Sequence, residues 1–174
     1  EEEFNFDKGR SEDRLPVVTA NRSTGINFLS LRESAGIQYY DFYNSFCKIS
    51  SFKQLEKMKG MFGVKKNYNV GYAIDRSASS SDYFSDDSRV KYFNIGFSGY
   101  GDATRVETEK KYHDSKYLTA VYFHSFFPAK EKIIRIKVPD WLELDLREFN
   151  FGDHKITKQK TTEKNMIVYT FKMQ

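Results

Sequence analysis

Cys47 is the chain's single thiol, and His113, His124 and His154 are the only imidazoles that could serve it as a base. Cysteine chemistry needs a thiolate held beside an imidazole, usually in an electropositive setting such as a helix N-terminus. Cys47 stands instead in Phe46-Cys47-Lys48-Ile49, a run that reads as strand with no Gly/Trp elbow beside it. That setting suits a small buried hydrophobe. His113 beside Asp114 has the makings of an acid/base pair but fits a turn better. No two histidines stand at a zinc-motif spacing. Asp82, Asp86 and Asp87 form the one dense acidic cluster. Calcium loops usually carry a glycine for their sharp turn, and 82–88 has none, so a polar surface loop is expected. G-x-S-x-G, P-loop and dinucleotide motifs are all missing, so no catalytic residue, metal ligand or cofactor is assigned.

Binding chemistry has more material. The chain holds 16 Phe, 12 Tyr and one Trp. Sugar rings stack on exposed aromatic faces with polar groups around them, which makes Trp141, Tyr100 and Tyr83 the candidates for a glycan site. Most of the other aromatics alternate with polar residues and should face a core. The basic run Lys57, Lys59, Lys65 and Lys66 reads as a solvated edge or hairpin. With 28 basic against 24 acidic residues, the net charge of +4 gives no reason to expect nucleic acid as a partner.

The elements that must hold these residues are strands. Ile134, Ile136 and Val138 alternate with Arg135 and Lys137, and Leu142, Leu144 and Leu146 with Glu143, Asp145 and Arg147. A period of two marks half-buried strands. Pro139-Asp140-Trp141 interrupts the pattern, so two strands meeting at a corner are expected, with Ile136 facing the core and Lys137 facing water. Ile37–Ile49, Val90–Ser98, Arg105–Tyr112, Asn165–Met173 and a long aromatic run over Tyr117–Phe127 read as further strands. Turns are expected at Gly99–Asp102 and His113–Ser115, and a serine-rich loop over Asp75–Ser88. Phe52–Tyr68 fits either a short amphipathic helix or a lysine-rich hairpin turning near Gly60. Aromatic content and regular turns predict a mostly β fold, an antiparallel β-sandwich with at most one or two short helices. Residues 1–24, poor in pattern, read as an N-terminal extension or edge strand, and 25–174 as the sandwich.

A chain of 174 residues can bury a core without disulfides or metal. One cysteine excludes an intrachain disulfide and suits either the cytosol or a Gram-negative periplasm. No apolar run approaches the roughly 20 residues that span a bilayer. A start at Glu1 fits a cleaved signal peptide or a cloned fragment equally well.

Three segments carry a resemblance: Tyr83-Phe84-Ser85-Asp86-Asp87-Ser88-Arg89-Val90-Lys91-Tyr92-Phe93, Tyr112-His113-Asp114-Ser115-Lys116-Tyr117-Leu118-Thr119-Ala120-Val121-Tyr122-Phe123, and Ile136-Lys137-Val138-Pro139-Asp140-Trp141-Leu142-Glu143-Leu144. A strand near Asp-Asp-x-Arg, a later aromatic strand and a Val-Pro strand followed by alternating leucines resemble one family. It is the domain of unknown function that precedes transglutaminase-like modules in bacterial cell-envelope proteins. The resemblance spans roughly Gly25 to Phe171 and is sharpest between Asp82 and Phe151, with the segment before Tyr68 fitting less closely. It implies an antiparallel sandwich that is the N-terminal domain of a longer, exported bacterial protein, periplasmic, envelope-bound or secreted. The implied partner is a transglutaminase-like module after Gln174, which would carry any Cys-His-Asp chemistry.

Two functional expectations follow. A non-catalytic accessory domain would show no deep polar pocket, no cluster of strongly perturbed acids or bases, and an apolar patch near its C-terminal end for its neighbouring transglutaminase-like or peptidase-like module. A stand-alone binding module for envelope glycans or peptides would show two or more exposed aromatics together. A cysteine or histidine enzyme would instead require Cys47 or His113-Asp114 to converge in one cleft.

Overall fold

The computed structural model describes residues 1–59, 65–78, 87–118, 120–124, 127–151 and 154–174. It is mostly β, as the alternation implied, and its one helical element among the described residues is a 3-10 turn at Ser115–Tyr117. No helix among them is long and apolar enough to cross a membrane. The chain divides into two compact units, Glu1–Ser23 with Lys111–Gln174, and Thr24–Lys110. The C-terminal 64 residues group with the N-terminal 23 rather than with 24–110.

In the first unit, β1 (Glu2–Arg10), β9 (Lys132–Pro139), β10 (Ile156–Glu163) and β11 (Met166–Met173) lie in the order β10-β11-β9-β1, and β2 (Pro16–Leu29) is the other neighbour of β1. β10–β11 and β11–β9 pair antiparallel, whereas β1 and β9 run parallel from Glu2↔Ile134 to Asn5↔Lys137. β1 is therefore an interior strand, neither an extension nor an edge. The reason is Phe4, which is 2% exposed and packs with Ile134, Ile136, Val138 and Phe171.

Two expected strands of this unit are not strands. Leu142, Leu144 and Leu146 keep their alternating burial, and Leu118, Val121 and Phe123 also pack on the core, but among the described residues neither segment joins a ladder. An extended chain needs only one apolar face to alternate; a strand also needs a neighbour with free N–H and C=O groups. Here the sheet face is covered by chain that lacks such a neighbour.

The second unit is a sandwich. Antiparallel β3 (Ala35–Tyr43), β7 (Arg89–Phe97) and β6 (Ile74–Ser77) form one sheet in the order β3-β7-β6. Facing it are the later residues of β2, then β8 (Ala103–Tyr112), β4 (Cys47–Lys59) and β5 (Lys65–Asn69). Between the layers Phe28, Phe52 and Val106 meet Ile37, Tyr39, Phe93, Ile95 and Phe97. Phe52 stacks on Phe93 with centroids 4.7 Å apart.

The expected single strand Ile37–Ile49 is broken because β3 and β4 belong to different layers. Asn44 makes the break, its Oδ1 accepting from the backbone N–H of Phe46 and Cys47 at 3.0 and 3.2 Å. The uncertain 52–68 segment is a hairpin, not a helix: Leu55↔Asn69 to Lys59↔Lys65 are paired, placing Lys57, Lys59, Lys65 and Lys66 on its strands. Its turn at 60–64 lies outside the described residues. The start of the expected serine-rich loop is strand β6, paired from Ile74↔Tyr92 to Ser77↔Arg89. The Gly99–Asp102 turn is present, closed by Asp102 Oδ2 accepting from Ser98 and Gly99 N–H at 2.8 Å each. Gly101 sits at φ +84°, where a side chain would be strained.

Candidate functional site

Glu2 and Phe4 share one face of β1, and Lys132 and Ile134 one face of the adjoining β9. Their polar ends, with Arg22 of β2, line an open cleft of about 220 Å³ in the first unit. Glu2 Oε1 lies 2.9 Å from Lys132 Nζ and Glu2 Oε2 lies 3.3 Å from Arg22 Nε. Lys132 Nζ also donates to the Tyr122 carbonyl at 2.6 Å. The walls are Tyr112, Leu118, Ala120, Val121, Tyr122 and His124, the last edge-on to Tyr122 at 5.1 Å. Two cations against one carboxylate leave the cleft with excess positive charge, suited to an anion. Among the described lining residues none is a serine, threonine or cysteine. Sequence reasoning missed this cluster because Glu2, Arg22 and Lys132 come from distant strands whose neighbours only the topology reveals.

A second polar cluster stands at one end of β3-β7-β6. The Tyr43 hydroxyl lies 2.9 and 2.7 Å from the two Asp75 oxygens, and Arg89 Nε donates to the Tyr43 oxygen and to Asp75 Oδ1 at 2.9 and 3.1 Å. Lys91 Nζ stands 3.8 Å from Asp75 Oδ2. Burial alone would raise the Asp75 pKa, but hydrogen bonds from Tyr43 and Arg89 outweigh it and hold the carboxyl below its ordinary value. For Tyr43, burial and the Asp75 carboxylate both push the phenol up. Every member is thus engaged in stabilising a neighbour's charged form, a structural ion-pair network rather than a poised base.

An exposed apolar run connects the two sheets of this unit, from Tyr68 on β5 to Ile74 on β6. Tyr68, Val70, Tyr72 and Ile74 are exposed, Tyr72 to 96%, as are Asn69 and Ala73 between them. On β3, Tyr40 and Phe42 are exposed and edge-to-face at 5.5 Å.

Of the residues singled out from the sequence, Trp141 is 40% exposed in the first unit, with the Lys8 ammonium 4.9 Å over its ring. Tyr100 is 73% exposed at the tip of the Gly99–Asp102 turn in the second unit. Tyr83, Asp82 and Asp86 lie outside the described residues. Asp87 accepts from the Ser45 N–H at 2.6 Å. Cys47 is half-buried with its Sγ 3.4 Å from Asn44 Oδ1, in a unit whose sequence contains no histidine. His113, His124 and His154 all belong to the first unit, and only His124 lines its cleft. Asp114 caps the 3-10 turn by accepting from Lys116 N–H at 3.0 Å. Among the described residues no three His, Cys, Asp or Glu side chains are grouped to hold a metal ion.

No curated protein and no solved structure matches the chain. The family model of DUF3857, described as a "Domain of Unknown Function with solved-structure structure", matches residues 68–174, a shorter span than the resemblance suggested. That match covers β6 to β11 and most of the cleft's walls, and the chain belongs to the DUF3857 family.

Proposed function

We propose that this chain is a non-catalytic accessory domain of an exported bacterial protein, periplasmic or envelope-associated, whose transglutaminase-like or peptidase-like module carries the chemistry. The observation that supports an interaction role is the run of exposed apolar residues Tyr68, Val70, Tyr72 and Ile74. Folding of the chain makes little use of these side chains, and burying such surface is the dominant favourable term in association. Aromatic residues are also the ones enriched in interface cores. The kind of partner rests on the resemblance carried by Asp86-Asp87-Ser88-Arg89, the Tyr112–Phe123 run and Val138-Pro139.

The test uses the full gene product, read past Gln174. Hydrogen exchange at Tyr68–Ile74 should be slower there than in the 174-residue chain, and Tyr72→Ser should restore fast exchange while leaving the melting temperature unchanged. Equal exchange in the two proteins, or a gene that encodes no such module, would overturn the reading.

A second reading, a binding module for envelope glycans or peptides, draws on the exposure of Trp141. Lys8 already occupies one face of that ring, which leaves the other for a sugar. Glycan-array binding abolished by Trp141→Ala would put this reading first.

A further inference from the structure

We propose that β3 pairs with β3 of a second copy of this chain, joining two three-stranded sheets into one six-stranded sheet across a two-fold axis. β3 is the terminal strand of its sheet, nine residues long, in unbroken register with β7 from Ala35↔Phe97 to Tyr43↔Arg89. A terminal strand presents a row of unpaired N–H and C=O groups, and proteins usually blunt it with lysine, proline, a bulge or short length. Ala35–Tyr43 contains no lysine, arginine or proline, and its register shows no bulge. Its one charge, Asp41, is turned inward, with Lys110 Nζ 3.2 Å away. Lys110 also donates to the Phe42 carbonyl, so this charge pair is engaged within its own subunit.

The strand is complementary to itself. Gly36, Gln38, Tyr40 and Phe42 share the solvent face. Antiparallel pairing centred on Tyr39 sets Gly36 opposite Phe42 of the second copy and Gln38 opposite its Tyr40, with no like charges meeting. Gly36 is itself the cross-strand partner of Gly96 on β7, so this part of the face has a floor two strands wide without side chains. A Cβ on Gly96 would meet nothing within 4 Å, and one on Gly36 only the Ile95 carbonyl at 3.7 Å. Phe42, 50% exposed, is the ring that fills such a notch. Aromatic cover over a cross-strand glycine is a recognised way to secure an edge. The two-fold makes this contact twice, as an isologous interface requires. One strand pair buries less surface than an obligate dimer, so association should depend on concentration.

Sedimentation velocity over a concentration series tests this, with hydrogen exchange of the β3 amides measured at both ends of the series. A reversible monomer–dimer equilibrium is expected, with exchange over Ala35–Tyr43 slowing as concentration rises. Gly96→Val puts a strand-favouring side chain into open space. It should leave the melting temperature unchanged or raised while weakening the dimer at least roughly tenfold. Phe42→Ala should weaken it from the other side of the same contact. A chain that stays monomeric throughout overturns the proposal, as does a dimer that neither variant weakens. Either failure leaves the accessory reading standing, because that reading depends on Tyr68–Ile74, the segment from β5 to β6, and not on β3.

Discussion

Asp41 and Lys110, 69 residues apart, meet with side chains only 14% and 9% exposed. Taking two charges out of water costs more than most single contacts return, so the pair adds little net stability yet is expensive to break. Asp41 Oδ2 sharpens the asymmetry, being buried with no hydrogen-bond partner among the described residues. Lys110→Met should therefore cost about 3 kcal/mol, and adding Asp41→Leu should recover most of the loss. Urea denaturation of the two single variants and the double variant measures this. A single-variant loss under about 0.5 kcal/mol would mean that water reaches the carboxylate. The period of two placed Val106, Thr108 and Tyr112 on one face of β8, and Lys110 shares their parity. That much was legible. Its partner was not, because which residue of β3 lies across the sandwich depends on how two sheets stack, and strand alternation says nothing of that. The cleft's Glu2, Arg22 and Lys132 were hidden by strand order within one sheet, since alternation does not say that β9, β1 and β2 are neighbours.

Among the elements, β9 was the most readable and its continuation the least. Ile134, Ile136 and Val138 are buried, as their spacing required, and the same spacing in Leu142–Leu146 gives alternating burial without a strand. Periodicity reports which side of an extended segment meets the core; whether a ladder forms depends on a neighbour that the segment does not encode. The described residues of Tyr117–Phe127 fail as a strand on the same ground, with Leu118, Val121 and Phe123 packing on the core from outside any strand. On β9, Ile136→Asp should cost at least about 3 kcal/mol, since an unpaired carboxylate would enter the Phe4–Ile134–Phe171 cluster. Lys137, expected to be indifferent, has Glu3 of β1 2.9 Å from its Nζ. Burial alone would raise the Glu3 pKa, but hydrogen bonds from Lys137 and Asn5 hold it below the ordinary value. Lys137→Glu would set two carboxylates side by side, at about 1 kcal/mol, and Glu3→Lys in the same chain should restore the loss. Equal losses for Ile136→Asp and Lys137→Glu in thermal melts would discredit the assigned faces.

At the scale of the whole molecule, both units depend on carboxylates held ionised. Asp114, through the Lys116 backbone N–H, and Glu131, through the Lys172 ammonium, join Glu3 below their ordinary values in the first unit. In the second, Ser45 does the same for Asp87, and Tyr43 and Arg89 for Asp75. Where the folded pKa is the lower one, the unfolded chain binds more protons in the acid range. The stability such a group contributes is complete above its ordinary value, 3.8 for Asp and 4.5 for Glu, and is lost as pH falls through the folded pKa. Net charge works in the same direction. With 28 basic residues and three histidines, the chain grows strongly positive as its 24 acidic groups neutralise, and self-repulsion opposes compactness. Tyr43 has the opposite sign: its raised pKa contributes stability below 10.0 that is lost as pH rises through the folded value. The melting temperature should therefore hold level near neutrality and fall steeply from about pH 5 to pH 3. Asp75→Asn removes one of the depressed carboxylates and should make that acid decline shallower while lowering the plateau. The fall should also be steeper at low ionic strength, where repulsion is unscreened. A melting temperature flat down to pH 3, or an Asp75→Asn curve parallel to the parent's, would show that the Tyr43–Asp75–Arg89 network does not hold its charge in solution.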